Sequence, residues 1–330
     1  MGQKVLRWDL TDPTAARYNP LAAIRVGTAH ETADIQRLAA MIVDPDGKQA
    51  TGASRHWVLT AGSLLSGVIA HELYLALHNG RRPSMASIVE HLTDPERSHH
   101  ECCEAWLQYD HARGQTLPGW EGPTHPLLVA AAREQLNRDH REAGSVLSTA
   151  LAPLTVFRDP VVAHSTCGSD FTAETLRDSV RAATLYLVVR PADLVRLKSL
   201  VRIVLAQLFS LWMGELPTQV SALRPQRVLA LIDEFPALGR IEPIEQALPY
   251  CAGYGVRCLL VAQDLSQLQG VYGQTESITA NCHLLAAFAP TRPETARWLS
   301  QRLGEATVVK RSRSQSFQGG GGFLASKRTD

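Results

Sequence analysis

Aromatic residues are scarce, making up 6% of the 330 positions. The core must therefore be built from Leu, Ala, Val and Ile rather than from stacked rings. Neither sign of charge prevails: 33 Lys and Arg stand against 32 Asp and Glu, a net charge of +1. That balance excludes a basic nucleic-acid coat and an acidic solvating chain, though not local patches. No apolar run approaches the roughly 18 to 20 residues of a membrane-spanning helix. The start, MGQKVLRWDL, lacks the apolar stretch of a signal peptide. Leu6 stands where a myristoylation signal after Gly2 would need Ser or Thr. The expectation is a soluble, cytoplasmic chain without a membrane span. The six cysteines (Cys102, Cys103, Cys167, Cys251, Cys258 and Cys282) are scattered and suit reduced thiols. Cys251, Cys258 and Cys282 sit in or beside apolar segments and suit small core positions.

What is present is ordinary globular composition, 45% apolar and 20% charged, and a length suggesting about two domains. Residues 1–50 mix a short apolar piece, Lys4 to Leu10, with turn signals at Asp12-Pro13 and Asn19-Pro20. A helix follows, with Ile35, Leu38, Met41 and Ile42 on one face, stopped by Asp44 to Gly47. Helical spacing then dominates residues 51–152. It runs through Trp57 to Leu77, Met85 to Leu92 behind a Ser84 cap, Glu101 to His111, and Leu127 to Leu151. An all-α domain is expected there.

The pattern changes near residue 153, where LAPLTVFRDPVVAHST reads as turn-rich. Short apolar runs follow at Leu185 to Val189, Val228 to Ile232, Cys258 to Ala262 and Leu284 to Phe288. Between and after them lie helical patterns at 192–213, 243–254, 265–280 and 294–303. Strand alternating with helix implies βαβ units and a parallel sheet, so residues 153–308 are expected to be α/β. Residues 309–330 are Ser-, Gly- and basic-rich and are expected to be disordered.

The chemically informative string is RVLALIDEFPALG, Arg227 to Gly239. Its five apolar residues run directly into Asp233-Glu234. The carboxyl end of a parallel strand is where such sheets bind ligands. Asp233 there can hold a hydrated Mg²⁺, and Glu234 can polarise a water for attack on a γ-phosphate. This is a Walker B pattern, although the same string also fits a solvated acidic pair opening a loop. Gln263 ends the next strand, CLLVAQ, where a polar side chain can sense a γ-phosphate or close a helix terminus. The phosphate loop GxxxxGK[ST] is missing. Gly47-Lys48 has no glycine five residues before Gly47 and is followed by Gln49, so it reads as a turn. The four glycines at 319–322 lack a following Lys-Ser/Thr.

LIDEFPALGRIEPIEQAL followed by CAGYGVRCLLVAQDLSQLQGVYG resembles the conjugative coupling proteins of type IV secretion systems, the TraG/TraD group. RYNPLAAIRVGT, HWVLTAGSLLSGVIAHELY, RDPVVAHSTCGSDF and TLYLVVRPADLVRLKSLVRIVLAQL resemble further segments of that family, in its order. The resemblance runs from about Lys4 to about Thr307. It implies a RecA-like P-loop NTPase core with an inserted all-α domain. It also implies an ATP- and Mg²⁺-dependent hexameric motor at the cytoplasmic face of the plasma membrane. Such a motor receives DNA with its relaxase, or a protein, and passes it to the secretion channel. By resemblance Asp233 is the Mg²⁺-organising acid, Glu234 the water-activating acid and Gln263 the sensor. Arg257 is the candidate trans-acting arginine, unless it sits inside its own strand. The family's membrane helices and Walker A have no counterpart here, so the expectation is a fragment open at both ends that binds nucleotide weakly and cannot hydrolyse ATP alone. A non-catalytic adaptor that binds substrate or relaxosome through the all-α domain, and an unstable remnant with an exposed sheet edge, are the alternatives.

Other clusters carry less. His99, His100, Cys102 and Cys103 lack a second ligand pair at zinc-finger spacing and suit a polar helix start. His71-Glu72 lacks the second His of a zincin, since Leu75 stands there. The basic residues from Arg297 onward suit either phosphate contact or a solvated end.

Overall fold

The computed structural model describes residues 2–44, 52–114, 120, 122–177, 181–214 and 227–304. The turn read at Gly47-Lys48 and the tail 309–330 lie outside the described residues. Residues up to Leu285 form one compact unit, and Ala286 onward a second.

The chain enters through β1 (Lys4–Asp9) and a 3-10 turn, Pro20–Ala23, whose amide at Leu21 is capped by the Asn19 side chain. Helix α1 (Glu31–Val43) follows, then α2 (Ala53–His78), the longest element. Every residue of α2 from Leu64 to Tyr74 is buried, so its middle is covered on all sides. It is the central post against which α1, α3 (Met85–Leu92), α5 (Pro126–Leu136) and α6 (His140–Leu151) pack. Its stretch Ser54–His78 is long and apolar enough to cross a membrane by length and composition. That corrects the expectation that no such stretch exists; the apolar character serves a buried post. At Gly67 an added Cβ would lie 2.7 Å from the Ala131 Cβ and 3.1 Å from the Leu128 Cα. Glycine there lets the α2 and α5 backbones approach closely.

Helix α4 (His99–Gln108) opens with a Ser98/Glu101 capping box and buries Cys102, Cys103 and Trp106. The histidines and cysteines thus start a helix, and no metal-holding cluster exists among the described residues. The helix expected over 127–151 is two. Asn137 ends α5, and the Asp139 carboxylate caps α6 by accepting the Arg141 and Glu142 N–H groups. The stretch read as turn-rich is helical. A 3-10 segment spans Ala152–Arg158 and α7 spans Pro160–Ser165, both with proline in the first turn, where its missing N–H costs nothing.

The α/β part begins with β2 (Ala183–Val188), parallel to β1 from Lys4↔Ala183 to Asp9↔Val188. Helix α8 (Leu194–Trp212) buries Leu197, Leu200, Val201, Val204, Leu208 and Phe209. Strands β3 (Val228–Ile232) and β4 (Val256–Leu260) form a second parallel pair, joined through α9 (Glu242–Ala247). Helix α10 (Leu265–Tyr272) stops at Gly273 in the left-handed region, well short of the expected residue 280. The fourth expected strand, Leu284 to Phe288, forms no ladder. Among the described residues both sheets have two strands, and Leu284 and Phe288 are 93% and 97% exposed, without a strand neighbour. In the second unit α11 (Pro293–Leu303) stacks the Arg302 guanidinium on Trp298.

Candidate active site

Strand β3 delivers two carboxylates at its C-terminal end. Inward residues Val228, Ala230 and Ile232 alternate with exposed Leu229 and Leu231, as the pleat requires. The ladder continues one step past the strands, with Val261 N–H donating to Ile232 O and Phe235 N–H donating to Val261 O (3.0 and 2.9 Å). Phe235 is fully buried and stacks on Tyr272 at 5.5 Å, which anchors the chain just beyond the acids.

Glu234 sits between that anchor and the strand with φ 49° and ψ 45°, a left-handed conformation that costs a non-glycine residue about 1–2 kcal/mol. The kink turns its side chain along the strand ends. Its carboxylate accepts from Gln263 Nε2 at 2.8 Å and from Gln267 Nε2 at 2.9 Å. Asp233 is exposed, and its Oδ1 accepts the Glu234 N–H at 3.1 Å. Neither acid forms an ion pair among the described residues.

Of the sequence-predicted site residues, Asp233, Glu234 and Gln263 are therefore brought together. Arg257 is not. It lies within β4 opposite Leu229, on the exposed face. Four residues, about 13 Å of strand, separate it from Val261 at the strand end.

Gln267 was missed as a site residue. Its signal was legible: Asp264-x-x-Gln267 is a capping box, in which Gln267 Oε1 accepts the Gln263 N–H at 3.0 Å and the Asp264 N–H at 3.4 Å. A sequence reveals the cap but not where the amide's other end points.

A second polar cluster lies in the helical part. Glu72 is fully buried. Its carboxylate takes both Arg81 nitrogens (2.6 Å each), the Ser84 N–H (2.8 Å) and His91 Nε2 (3.1 Å). Burial works to raise its pKa, but these partners prevail and hold it below the usual value. Glu31 is likewise lowered against burial by His125 (2.7 Å), Tyr74 (2.9 Å) and the Gly27 N–H. His71 and His111 meet ring to ring at 3.0 Å between them, with pKa values pushed down by burial to about 3 and about 4. The His71-Glu72 pair is therefore an internal brace.

With this geometry in hand, a family model of type IV secretory system conjugative DNA transfer proteins matches residues 1–327. The chain belongs to that family. It is 40% identical over 319 residues to the conjugal transfer protein TraG of Escherichia coli, covering 93% of this chain and 48% of that protein. It is 34% identical over 210 residues to the protein VirD4 of Rhizobium radiobacter, covering 59% of this chain and 30% of VirD4. It thus spans about half the length of the TraG proteins it matches. Among solved structures, the plasmid coupling protein TrwB in complex with a non-hydrolysable GTP analogue aligns with a TM-score of 0.64. The alignment covers 91% of this chain and 63% of TrwB at 22% identity. TrwB in complex with ADP and Mg²⁺ aligns with a TM-score of 0.62. The likeness shows the coupling-protein fold, a RecA-like P-loop NTPase core with an all-α domain.

Proposed function

We propose that this chain contributes the Walker B half of a nucleotide-hydrolysing site, together with an all-α domain, to a conjugative coupling motor. The observation that carries the proposal is Glu234. It is held in a strained backbone conformation at a parallel strand's carboxyl end, with its carboxylate hydrogen-bonded to Gln263, which lies just past the end of β4 rather than at its last residue as the sequence suggests. Strain of this kind gathers at functional sites.

The residues present fit one side of a Mg²⁺–nucleotide. Asp233 offers an exposed carboxylate to a hydrated cation. Glu234 polarises water, and Gln263 is placed to exchange its bond to Glu234 for one to a γ-phosphate. Bound Mg²⁺ would neutralise charge developing on the phosphate oxygens. The phosphate cradle does not fit any segment here, since the sequence holds no GxxxxGK[ST]. The isolated chain is accordingly expected to turn over ATP at background rate. Arg257, exposed on the β3–β4 face, does not reach its own Glu234 and would act across a subunit boundary of a ring. DNA with its relaxase, or a protein, is the proposed cargo. The secretion channel at the plasma membrane is its proposed destination.

The test is complementation. The chain is spliced in place of the matching portion of Escherichia coli TraG, and plasmid transfer is counted. Transfer is expected with the native sequence and lost with Glu234→Gln; equal transfer by both versions would sink the proposal.

A further inference from the structure

We propose that Gln267 is a positioning residue that fixes the Glu234 carboxylate and ties it to Gln263. The hydrogen bonds themselves assign its role. Gln267 Oε1 accepts two backbone N–H groups, those of Gln263 and Asp264. An amide whose oxygen faces two donors must present its Nε2 to the other side, so its orientation follows from the network. That side is Glu234 Oε1, at 2.9 Å. One side chain thus grips the backbone of the sensor and the carboxylate of the acid together.

The two amides on Glu234 differ in how firmly they are held. Gln267 stands in the first turn of α10, half-buried and bonded at both ends. The Gln263 side chain is exposed, and its one hydrogen bond among the described residues is to Glu234 Oε2, at 2.8 Å. With both amides in place, both carboxylate oxygens are occupied. Release of Gln263 frees Oε2 to accept a proton from water, while Gln267 keeps Oε1 and so keeps the freed oxygen aimed. Gln267 is the fixed hold and Gln263 the releasable one. The link stands on the geometry alone; its catalytic consequence rests on the proposal that Glu234 activates water.

Two substitutions separate this role from simple helix capping. Gln267→Ala removes the cap and the carboxylate contact together. Gln267→Glu keeps an acceptor for both N–H groups, since Asp-x-x-Glu is still a capping box, but replaces the donor to Glu234 with a like charge. The readout is the Gln263 side-chain amide in the ¹⁵N-glutamine-labelled chain, assigned by its loss in Gln263→Ala. Both Gln267 variants are expected to shift that resonance and speed its exchange with water about tenfold, the factor a hydrogen bond to a charged group commands. An unmoved resonance in both variants overturns the proposal. A change in Gln267→Ala alone reduces Gln267 to a cap and also overturns it, as does a change in Gln267→Glu alone, which is a charge effect. A failure of the hydrolysis proposal looks different: the Gln263 resonance still depends on Gln267, while Glu234→Gln leaves transfer by the spliced protein intact.

Discussion

Acid should loosen the helical part well above the pH at which carboxylates protonate. The cause is the buried pair His71 and His111, 6% and 1% exposed. His111 Nδ1 accepts the His125 N–H at 3.4 Å, which leaves its Nε2 hydrogen to donate to His71 Nδ1 at 3.0 Å. A proton added to either acceptor sets N–H against N–H, inside a cage of His91, His125, His78, Trp106, Tyr74, Tyr109, Arg81, Glu72 and Asp110. Both rings therefore stay neutral in the fold, with pKa values of about 3 and about 4, against 6.5 when unfolded. Below pH 6.5 the unfolded chain binds the protons that the fold refuses, so the stability this pair contributes is full above pH 6.5 and is lost as pH falls toward 4. At pH 5 the solution lies about 1.5 units below the unfolded pKa of each ring and still above the folded one, which is worth about 2 kcal/mol per ring. The two share one hydrogen bond and titrate together, so about 2–4 kcal/mol is at stake. With an m-value of about 3 kcal/mol/M, the urea midpoint should drop by about 1 M between pH 7.5 and pH 5.0, read by far-ultraviolet circular dichroism. The double variant His71→Gln/His111→Gln, which keeps hydrogen-bonding amides and cannot titrate, should flatten that drop. An unchanged midpoint in the native chain, or an equal drop in the variant, would refute the reasoning.

Gly67→Ala should destabilise by about 1–3 kcal/mol despite the better helix propensity of alanine, because the new methyl meets the α5 backbone; a raised melting temperature would contradict it. Glu234→Gly should melt higher than Glu234→Ala by the equivalent of about 1 kcal/mol, since only glycine relaxes at φ 49°; equal melting would show the kink to be unstrained. Glu72→Gln should cost about 2–3 kcal/mol, at the low end for a broken buried pair because Arg81 is 36% exposed and water can reach it; a loss within about 0.5 kcal/mol would count against the brace.

The acids at the end of β3 were legible because a parallel strand and its exit turn are local: five apolar residues, then Asp233-Glu234. β3 falls where its apolar run predicts, and β2 and β4 within two residues of theirs. β1 was harder to read. Arg7 and Asp9 interrupt its apolar residues, and its partner β2 lies far along the chain. The break between α5 and α6 was missed because Asn137-Arg138-Asp139 interrupts a sustained apolar period with a cap rather than with glycine or proline. The stretch 152–165 reads as turn-rich, yet Pro153 and Pro160 stand in the first turns of a 3-10 segment and of α7, where proline is tolerated. Leu284 to Phe288 has the composition of a strand, but a strand also needs an edge to join. Residue types pointed to Asp233, Glu234 and Gln263 as candidates, and the fold brings these three side by side. The direction of the Gln267 amide and the left-handed backbone at Glu234 arise from contacts between β3, β4 and α10, which no spacing rule encodes.

The most direct test of the Walker B assignment is ATP hydrolysis by the purified TraG splice carrying this chain's Asp233, Glu234 and Gln263. Mg²⁺-dependent turnover is predicted for the native splice, with kcat lowered by about 10²-fold or more in Glu234→Gln, the scale of lost general-base catalysis. Turnover that survives Glu234→Gln unchanged would contradict the account.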